Sequence, residues 1–302
     1  MQSITASSLG CFRSCPRKYL YEYILCRRRV TEGAPLAIGR FAHTLLEEWW
    51  RGGAGAVLAA LNSVARDIEP EDAAKVAAML CKYNPKLPDG HCASERFKVL
   101  ALEQKFDGTR IVNPDTGKPM ASYCLAGKVD GLLEDTTDGS KWVLEHKTSS
   151  EEIMGYGPFW QRLSIDHQIS YYMLATGAAG VLYDVLRKPG IRFCKKDSSM
   201  DAFQARCVAD ISGAPERYYQ FRPITKTAAD IAEAQADLWA QAHMLSDCAR
   251  VNRWPRNSGA CRSFFGLCEY LDVCTGCAQI DDDTLFRVKA GVNEELVMEA
   301  AK

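Results

Sequence analysis

Gly127-Lys128-Val129-Asp130-Gly131-Leu132-Leu133-Glu134 runs into a polar turn, Asp135-Thr136-Thr137-Asp138-Gly139-Ser140, and out again as Lys141-Trp142-Val143-Leu144-Glu145-His146-Lys147-Thr148. Apolar and β-branched residues on either side of a Thr/Asp/Gly/Ser cluster predict a β-hairpin. A turn centred on Thr137 and Asp138 sets Asp130 directly across from Glu145. Facing residues have Cβ atoms about 5 Å apart, close enough for two carboxylates to share a divalent cation. Side chains alternate along a strand, so Glu145 and Lys147 point to one face and His146 to the other. The backbone carbonyl of His146 stays available to the same cation. Two carboxylates and an ammonium in one place are unfavourable unless a cation and an anionic substrate balance them. On an exposed hairpin the same pattern would be a set of solvated charges. Position favours the first reading: Glu145 and Lys147 end an apolar run, where a strand enters a core.

Composition bounds the alternatives. The chain has 302 residues, 47 % hydrophobic and 25 % charged, which fits a globular protein of one large domain or two small ones. Its net charge of −1 assigns any nucleic-acid contact to local basic patches. No apolar run approaches the roughly 20 residues that span a bilayer, and Met1-Gln2-Ser3-Ile4-Thr5 lacks the basic-then-apolar order of a secretory signal. Thirteen cysteines, odd in number and mostly scattered, predict a reducing cytoplasmic compartment in which most thiols are small buried hydrophobes. Cys261, Cys268, Cys274 and Cys277 are the exception. They fall within 17 residues and read as a metal site, for which zinc and a [4Fe–4S] cluster are both competent.

Along the rest of the chain, Thr5 or Ser7 caps a short helix, and Pro16 ends it or begins the next. Arg27-Arg28-Arg29 reads as a solvated basic face. Leu36–Trp50 reads as a helix with Gly39, His43 and Glu47 on one face and Phe41, Leu45, Leu46, Trp49 and Trp50 as core. A lone His on such a helix is ordinarily structural. Residues 54–82 read as further helix, and Phe97–Phe106 as a strand carrying Glu103. Trp160–Thr176 reads as a helix with Gln168 and Tyr172 four apart, and Gly180–Arg187 as a buried strand. Arg206–Phe221 and Thr225–Ser246 read as helices, and the chain past Asp281 as an acidic tail with a short helix at Glu294–Ala300. Helix, strand and crossover together predict a mixed sheet with helices packed on it.

Five motifs follow one another in order: Ser7, Leu9, Phe12 and Cys15-Pro16-Arg17; Gly39-x3-His43; Asp130 with Glu145-x-Lys147; Gln168-x3-Tyr172; and Cys261, Cys268 and Cys274. In this order they resemble the PD-(D/E)XK nuclease superfamily in its RecB-like branch, and are similar to the CRISPR adaptation exonucleases and phage RecB-like exonucleases. The first catalytic motif is Val129-Asp130-Gly131 where many members have Pro-Asp. The resemblance spans Ser7 to Cys274. It implies an α/β, restriction-endonuclease-like core, a mixed central β-sheet flanked by helices. It also implies one nuclease domain over 1–277 with an iron–sulfur clasp joining the N- and C-terminal segments, followed by the acidic tail 278–302.

The same resemblance implies the roles. His43, Asp130, Glu145 and the His146 carbonyl would hold Mg²⁺ or Mn²⁺. Lys147 would position water or neutralise developing charge, Gln168 and Tyr172 would orient the substrate strand, and Arg17 and Tyr19 would contact it. Cys15, Cys261, Cys268 and Cys274 would hold a [4Fe–4S] cluster, with Cys277 competing with Cys15 for the fourth position. The implied activity is metal-dependent DNA exonuclease action at single-stranded ends or overhangs, in repair, recombination, phage DNA processing or CRISPR adaptation. Partners are then DNA and either a second copy of the chain or recombination or CRISPR proteins, with no membrane. A nuclease-fold DNA-binding or assembly subunit, a structure-specific endonuclease, and a zinc-stabilised protein without a nuclease site are the competing readings.

Overall fold

The computed structural model of the protein describes residues 1–30, 34–64, 68–263 and 266–297. In chain order its elements are β1 (Gln2–Ile4), α1 (Ala6–Ser14), α2 (Pro16–Tyr19), β2 (Arg27–Arg29), α3 (Ala34–Val64), α4 (Pro70–Cys81), α5 (Ala93–Arg96), β3 (Phe97–Val112), β4 (Pro119–Asp135) and β5 (Lys141–Ser149). There follow α6 (Pro158–Ser164), α7 (His167–Thr176), β6 (Gly180–Arg187), α8 (Met200–Gly213), β7 (Tyr219–Ile224), α9 (Ala228–Val251), β8 (Arg262–Ser263), β9 (Gly266–Leu267), α10 (Leu271–Thr275), β10 (Phe286–Val288) and α11 (Glu294–Val297). Two compact units result. One comprises Gly33–Gln104 and Val129–Lys226, the other Met1–Glu32, Lys105–Lys128 and Thr227–Lys302. The long strands β3 and β4 contribute to both.

The first of these units holds the mixed sheet that the sequence predicts, in the order β4–β5–β6–β7, with β3 also paired to β4. Antiparallel pairing of β4 with β5 sets Gly131 against Leu144 and Glu134 against Lys141, the register that places Asp130 across from Glu145. β5 and β6 are parallel, so the chain must cross over between them, and α6 and α7 form that crossover. β6 is buried along nearly its whole length, as a strand covered on both faces should be. Its first residue must be Gly180: a Cβ there would lie 2.5 Å from the Trp142 ring and 2.7 Å from the Ile224 carbonyl oxygen. Helices α3, α4 and α8 supply Phe41, Leu45, Leu46, Met79, Phe203 and Ile211 to the larger core cluster. Trp50, Leu133, Leu144, Leu182 and Phe221 form a second. Each such side chain contributes about 1.5–3 kcal/mol on burial.

Three sequence readings in this unit are corrected. The helix over Leu36–Trp50 continues through a break at Gly52 and Gly53, where Gly53 takes φ 70°. The helix expected over Trp160–Thr176 is two, because Asp166 stops the first and caps the second by accepting the Gln168 N–H. Arg206–Phe221 is helical only to Gly213; Pro215 intervenes, and Tyr219–Ile224 joins the sheet antiparallel to β6. Residues 65–67, inside the helix expected over 54–82, lie outside the described residues.

In the other unit Thr5 and Ser8 form a capping box at the start of α1, and Pro16 is the first residue of α2. β1 runs parallel to β4 through Gln2–Ile4 and Tyr123–Leu125. The segment past 277 is part of this unit. β10 pairs antiparallel with β2, and Phe286 is fully buried against Tyr21 and Tyr270. The basic run is therefore not a free solvated face. Arg27 pairs with Asp283 at 2.8 Å, Arg28 with Glu294 at 2.6 Å and Arg29 with Asp272 at 3.5 Å. Residues 298–302, including the end of the helix expected over 294–300, lie outside the described residues. No helix among those described is long and apolar enough to cross a membrane.

Candidate active site

The hairpin brings one carboxylate from each strand to the edge of the apolar run. Asp130 Oδ2 accepts the main-chain N–H of His146 at 2.7 Å. His43 reaches the same oxygen from α3, with Nδ1 at 3.5 Å. Glu145 is only 4 % exposed, and its Oε1 accepts from Lys147 Nζ at 2.6 Å. The same ammonium donates to Gln168 Oε1 at 3.0 Å, and Gln168 Nε2 donates to the Tyr172 hydroxyl at 2.6 Å. The cap at Asp166 starts α7 so that Gln168 and Tyr172 fall on one face, one turn apart. His43, Asp130 and the His146 N–H thus form one short chain of polar contacts, and Glu145, Lys147, Gln168 and Tyr172 a second. Glu47, in contrast, is taken up by an ion pair with Arg51.

Burial pushes the Glu145 carboxyl above its ordinary value, Lys147 opposes that shift and the nearby charge of Asp130 adds to it. Burial acts the same way on Asp130, but His43 and the His146 N–H outweigh it and hold that carboxyl well below the usual range. Burial disfavours charge on Lys147 and His43 as well; Glu145 and Asp130 respectively overcome it, so both bases are raised. Burial keeps Tyr172 a neutral hydroxyl by pushing it well up. These are the three ordinary causes of a shift, acting against one another within a few residues.

Among the described residues no three His, Cys, Asp or Glu side chains stand as a ready-made metal-ligating group. Lys147 occupies Glu145, while His43 and the His146 N–H occupy Asp130. The donor chemistry nonetheless fits a hard divalent cation: one buried carboxylate, one largely buried carboxylate and one imidazole suit Mg²⁺ or Mn²⁺. The elevated Glu145 marks a carboxylate whose burial Lys147 does not fully compensate.

Sequence reasoning missed what holds the other face of β5. The His146 ring is buried, and its Nδ1 lies 2.7 Å from Asp184 Oδ2. The Tyr83 hydroxyl donates to the same oxygen. A buried Asp within an apolar strand, Val181-Leu182-Tyr183-Asp184-Val185-Leu186, was the available signal.

Arg17 and Tyr19 belong to the other unit, where Arg17 Nε donates to the Trp254 carbonyl at 2.8 Å. Tyr19 is 1 % exposed and stacks on Tyr23 and Trp254 with centroids 5.1 and 5.8 Å away. A ring enclosed in this way is core. Tyr171, on α7, is likewise fully buried.

The cysteines of the expected clasp lie in one unit. The Asn257 N–H donates to Cys15 Sγ at 3.5 Å, and Cys261 Sγ donates to the Asn257 carbonyl at 3.8 Å. The Cys268 N–H donates to the Cys261 carbonyl at 2.9 Å. Cys268 and Cys274 pack beside Tyr21, Tyr270 and Phe286. Cys277 is exposed and accepts from Thr275 Oγ1 at 3.4 Å. All are free thiols.

A family model of the PD-(D/E)XK nuclease superfamily matches residues 3–275. The chain belongs to the PD-(D/E)XK nuclease superfamily. No curated protein matches it. Thirteen chains of solved structures do. One, titled "Crystal structure of SSO0001", aligns over 92 % of this chain and 89 % of its own at 13 % identity, with a TM-score of 0.41. In PD-(D/E)XK terms Glu145-His146-Lys147 matches the triplet that names the superfamily, and PD-(D/E)XK nucleases generally use Mg²⁺ or Mn²⁺. The mixed sheet flanked by helices is consistent with its restriction-endonuclease-like fold.

Proposed function

We propose that this chain is a metal-dependent DNA exonuclease of the RecB-like branch, hydrolysing phosphodiester bonds at single-stranded ends or overhangs. The observation that carries the reading is the convergence of His43 and Asp130 with Glu145, Lys147, Gln168 and Tyr172 around the end of β5. Asp130, Glu145, His43 and the His146 carbonyl would hold Mg²⁺ or Mn²⁺. When bound, that cation supplies an acidified water and charge neutralisation on the scissile phosphate. Lys147 stays protonated and is fixed from two sides, by Glu145 and by Gln168, so its ammonium is aimed before substrate arrives. Such a preset donor stabilises charge that develops in the transition state. The Tyr172 hydroxyl receives the Gln168 amide N–H, which leaves the amide oxygen facing Lys147.

Substrate contact on this reading falls to the loop after β6. Arg192, Lys195 and Lys196 are exposed, and with Lys188 they form no salt bridge among the described residues. The Lys188 N–H donates to the Ser149 carbonyl at 2.8 Å, so the loop leaves the sheet two residues beyond Lys147. Arg206 fixes its far end through Asp197 and the Arg192 carbonyl. Cations grouped on an anchored loop suit phosphate contact, which positions a strand without reading its sequence.

The [4Fe–4S] clasp belongs to the same proposal, with Cys15, Cys261, Cys268 and Cys274 as ligands. Cys15 is preferred over Cys277 because Asn257 ties it to the turn that carries Cys261, whereas Cys277 faces solvent. Thiolate ligation with main-chain N–H groups near sulfur is the chemistry such a cluster uses. The test is digestion of end-labelled linear and closed circular DNA with Mg²⁺ or Mn²⁺ and with a chelator. End-dependent release that the chelator stops is expected; digestion indifferent to metal, or none on any substrate, rejects the reading.

A further inference from the structure

His146 and Asp184 are register partners on the parallel strands β5 and β6. On the same face Leu144 and Leu182 stand one rung before them, and Thr148 and Leu186 one rung after. Leu144, Leu182 and Leu186 belong to apolar core. One rung of this apolar face is therefore an imidazole and a carboxylate, with side chains 2 % and 3 % exposed. Tyr83, itself buried beyond the end of α4, closes the group by donating its hydroxyl to the same Asp184 oxygen. Burying such groups is unfavourable, and apolar residues of similar volume are often neutral or stabilising in their place. Packing alone therefore does not account for this rung.

Its position does. Glu145 and Lys147 are the immediate neighbours of His146 on the opposite face, and its own N–H holds Asp130 at 2.7 Å. The His43 ring meets the His146 ring edge-on, with centroids 5.8 Å apart and planes at 80°. Asp184 accepts from Nδ1–H, which fixes the tautomer and the ring plane. His146 Nε2, buried and without a hydrogen-bond partner among the described residues, adds no competing constraint. One clamped ring thus bears on the peptide between the two residues of the Glu-x-Lys motif, on Asp130 and on His43.

We infer that Asp184 and Tyr83 are positioning residues for the metal site, acting through the His146 ring to fix the Glu145–Lys147 backbone and His43. This inference rests on the nuclease reading above. Outer partners that orient metal ligands typically affect metal affinity or activity by about 10–100-fold, and that range sets the expectation.

The test uses the full-length protein and four substitutions: His146→Leu, His146→Asn, His146→Gln and Asp184→Asn. An Asn amide places an N–H where Nδ1–H stood, whereas a Gln amide reaches toward the Nε2 position. Mn²⁺ affinity is read by calorimetry or electron paramagnetic resonance, and kcat and KM for DNA by cleavage. The expected result for His146→Leu is a loss of about 10–100-fold in both Mn²⁺ affinity and kcat with KM for DNA held. His146→Asn restores most of that loss, His146→Gln does not, and Asp184→Asn falls with His146→Leu. If His146→Leu does not fold, the Asn and Gln pair alone decides the matter. Equal Mn²⁺ affinity and kcat in the Asn and Gln variants, or a His146→Leu variant that loses only thermal stability, overturns the inference. Should wild-type protein bind no Mn²⁺, or Glu145→Ala cleave at full rate, the nuclease reading itself fails, and the two failures are told apart.

Discussion

The main-chain N–H of His146 crosses the hairpin to Asp130 Oδ2 at 2.7 Å. This hydrogen bond joins the carboxylate of β4 to the peptide that follows Glu145. Substitutions here should separate chemistry from folding. Glu145→Ala should reduce cleavage to background, and Lys147→Ala should lower kcat by about 10²–10³-fold, the range seen when one preset donor is removed. Both proteins should keep their thermal midpoint and DNA affinity, because these two side chains act mainly on the transition state. Full cleavage by Glu145→Ala at equal metal concentration would sink the mechanism.

The hairpin was legible in the sequence because everything that sets its register lies within about ten residues of its turn, the apolar flanks and the Thr/Asp/Gly/Ser cluster included. The same holds for the capping box at Thr5 and for Pro16 at the start of α2. The pairing of Tyr83 with Asp184 was not legible, since their hydrogen bond spans 101 residues and Tyr83 carries no local pattern, although an Asp inside the apolar run Val181–Leu186 marks one half of it. β7 was missed for a different reason: the helical period of α8 was carried through Pro215, which ends it. The segment past Asp281 reads as a tail by composition alone. Its partners, Arg27, Arg28 and Arg29, stand more than 250 residues earlier. The sequence likewise does not show that Tyr23 and Trp254 enclose Tyr19.

The turn of the hairpin offers a pH-dependent stability test away from the site. Arg96 donates to Asp135 at 2.7 and 2.9 Å. With help from Thr137 it lowers the Asp135 carboxyl to about 2. The folded value lies below the unfolded one, about 3.9, so the stabilisation is complete above the unfolded value and disappears as pH falls through the folded value. Arg96 is 37 % exposed while Asp135 is 1 % exposed, and solvent screening trims the effect. Asp135→Asn should therefore destabilise by about 1–2 kcal/mol at pH 7. The difference from wild type should close between about pH 4 and pH 2. Chemical denaturation of both proteins across that range measures it, and a gap that persists below pH 2 contradicts the assignment.

The clasp makes a prediction about colour. Protein purified without oxygen should be brown and contain iron and sulfide. Cys15→Ala and Cys268→Ala should each lose colour and stability together, since a cluster joining Cys15 to residues 261–274 closes a very long loop. Cys277→Ala should keep both. Colourless protein with stoichiometric zinc would exclude the cluster. Bleaching by Cys277→Ala but not by Cys15→Ala would place all the ligands in the C-terminal segment.

The final prediction concerns substrate. The chain has no Gly-x4-Gly-Lys-Ser/Thr sequence, so unwinding of duplex ends by a phosphate-binding loop of that kind is not expected from this chain. Its net charge of −1 gives no general attraction to duplex DNA, and affinity must come from local cations. Lys188, Arg192, Lys195 and Lys196 are the group proposed for that contact, on a loop that leaves the sheet next to Ser149. A few phosphate contacts beside a recessed carboxylate pair favour a single strand threaded to its end over a blunt duplex held along its length. Linear single-stranded DNA and overhangs should therefore be digested faster than blunt duplex, and closed circles should resist. Exchanging the four cations for Gln should raise KM with kcat nearly unchanged. For a single strand, the slope of log affinity against log salt should fall by about 0.7 for each phosphate left without its cation. The comparison requires one salt concentration for all substrates and a salt series for the variant. Rapid sequence-specific cutting of closed duplex circles would identify an endonuclease instead, and an unchanged salt slope in the Gln variant would move the DNA path away from this loop.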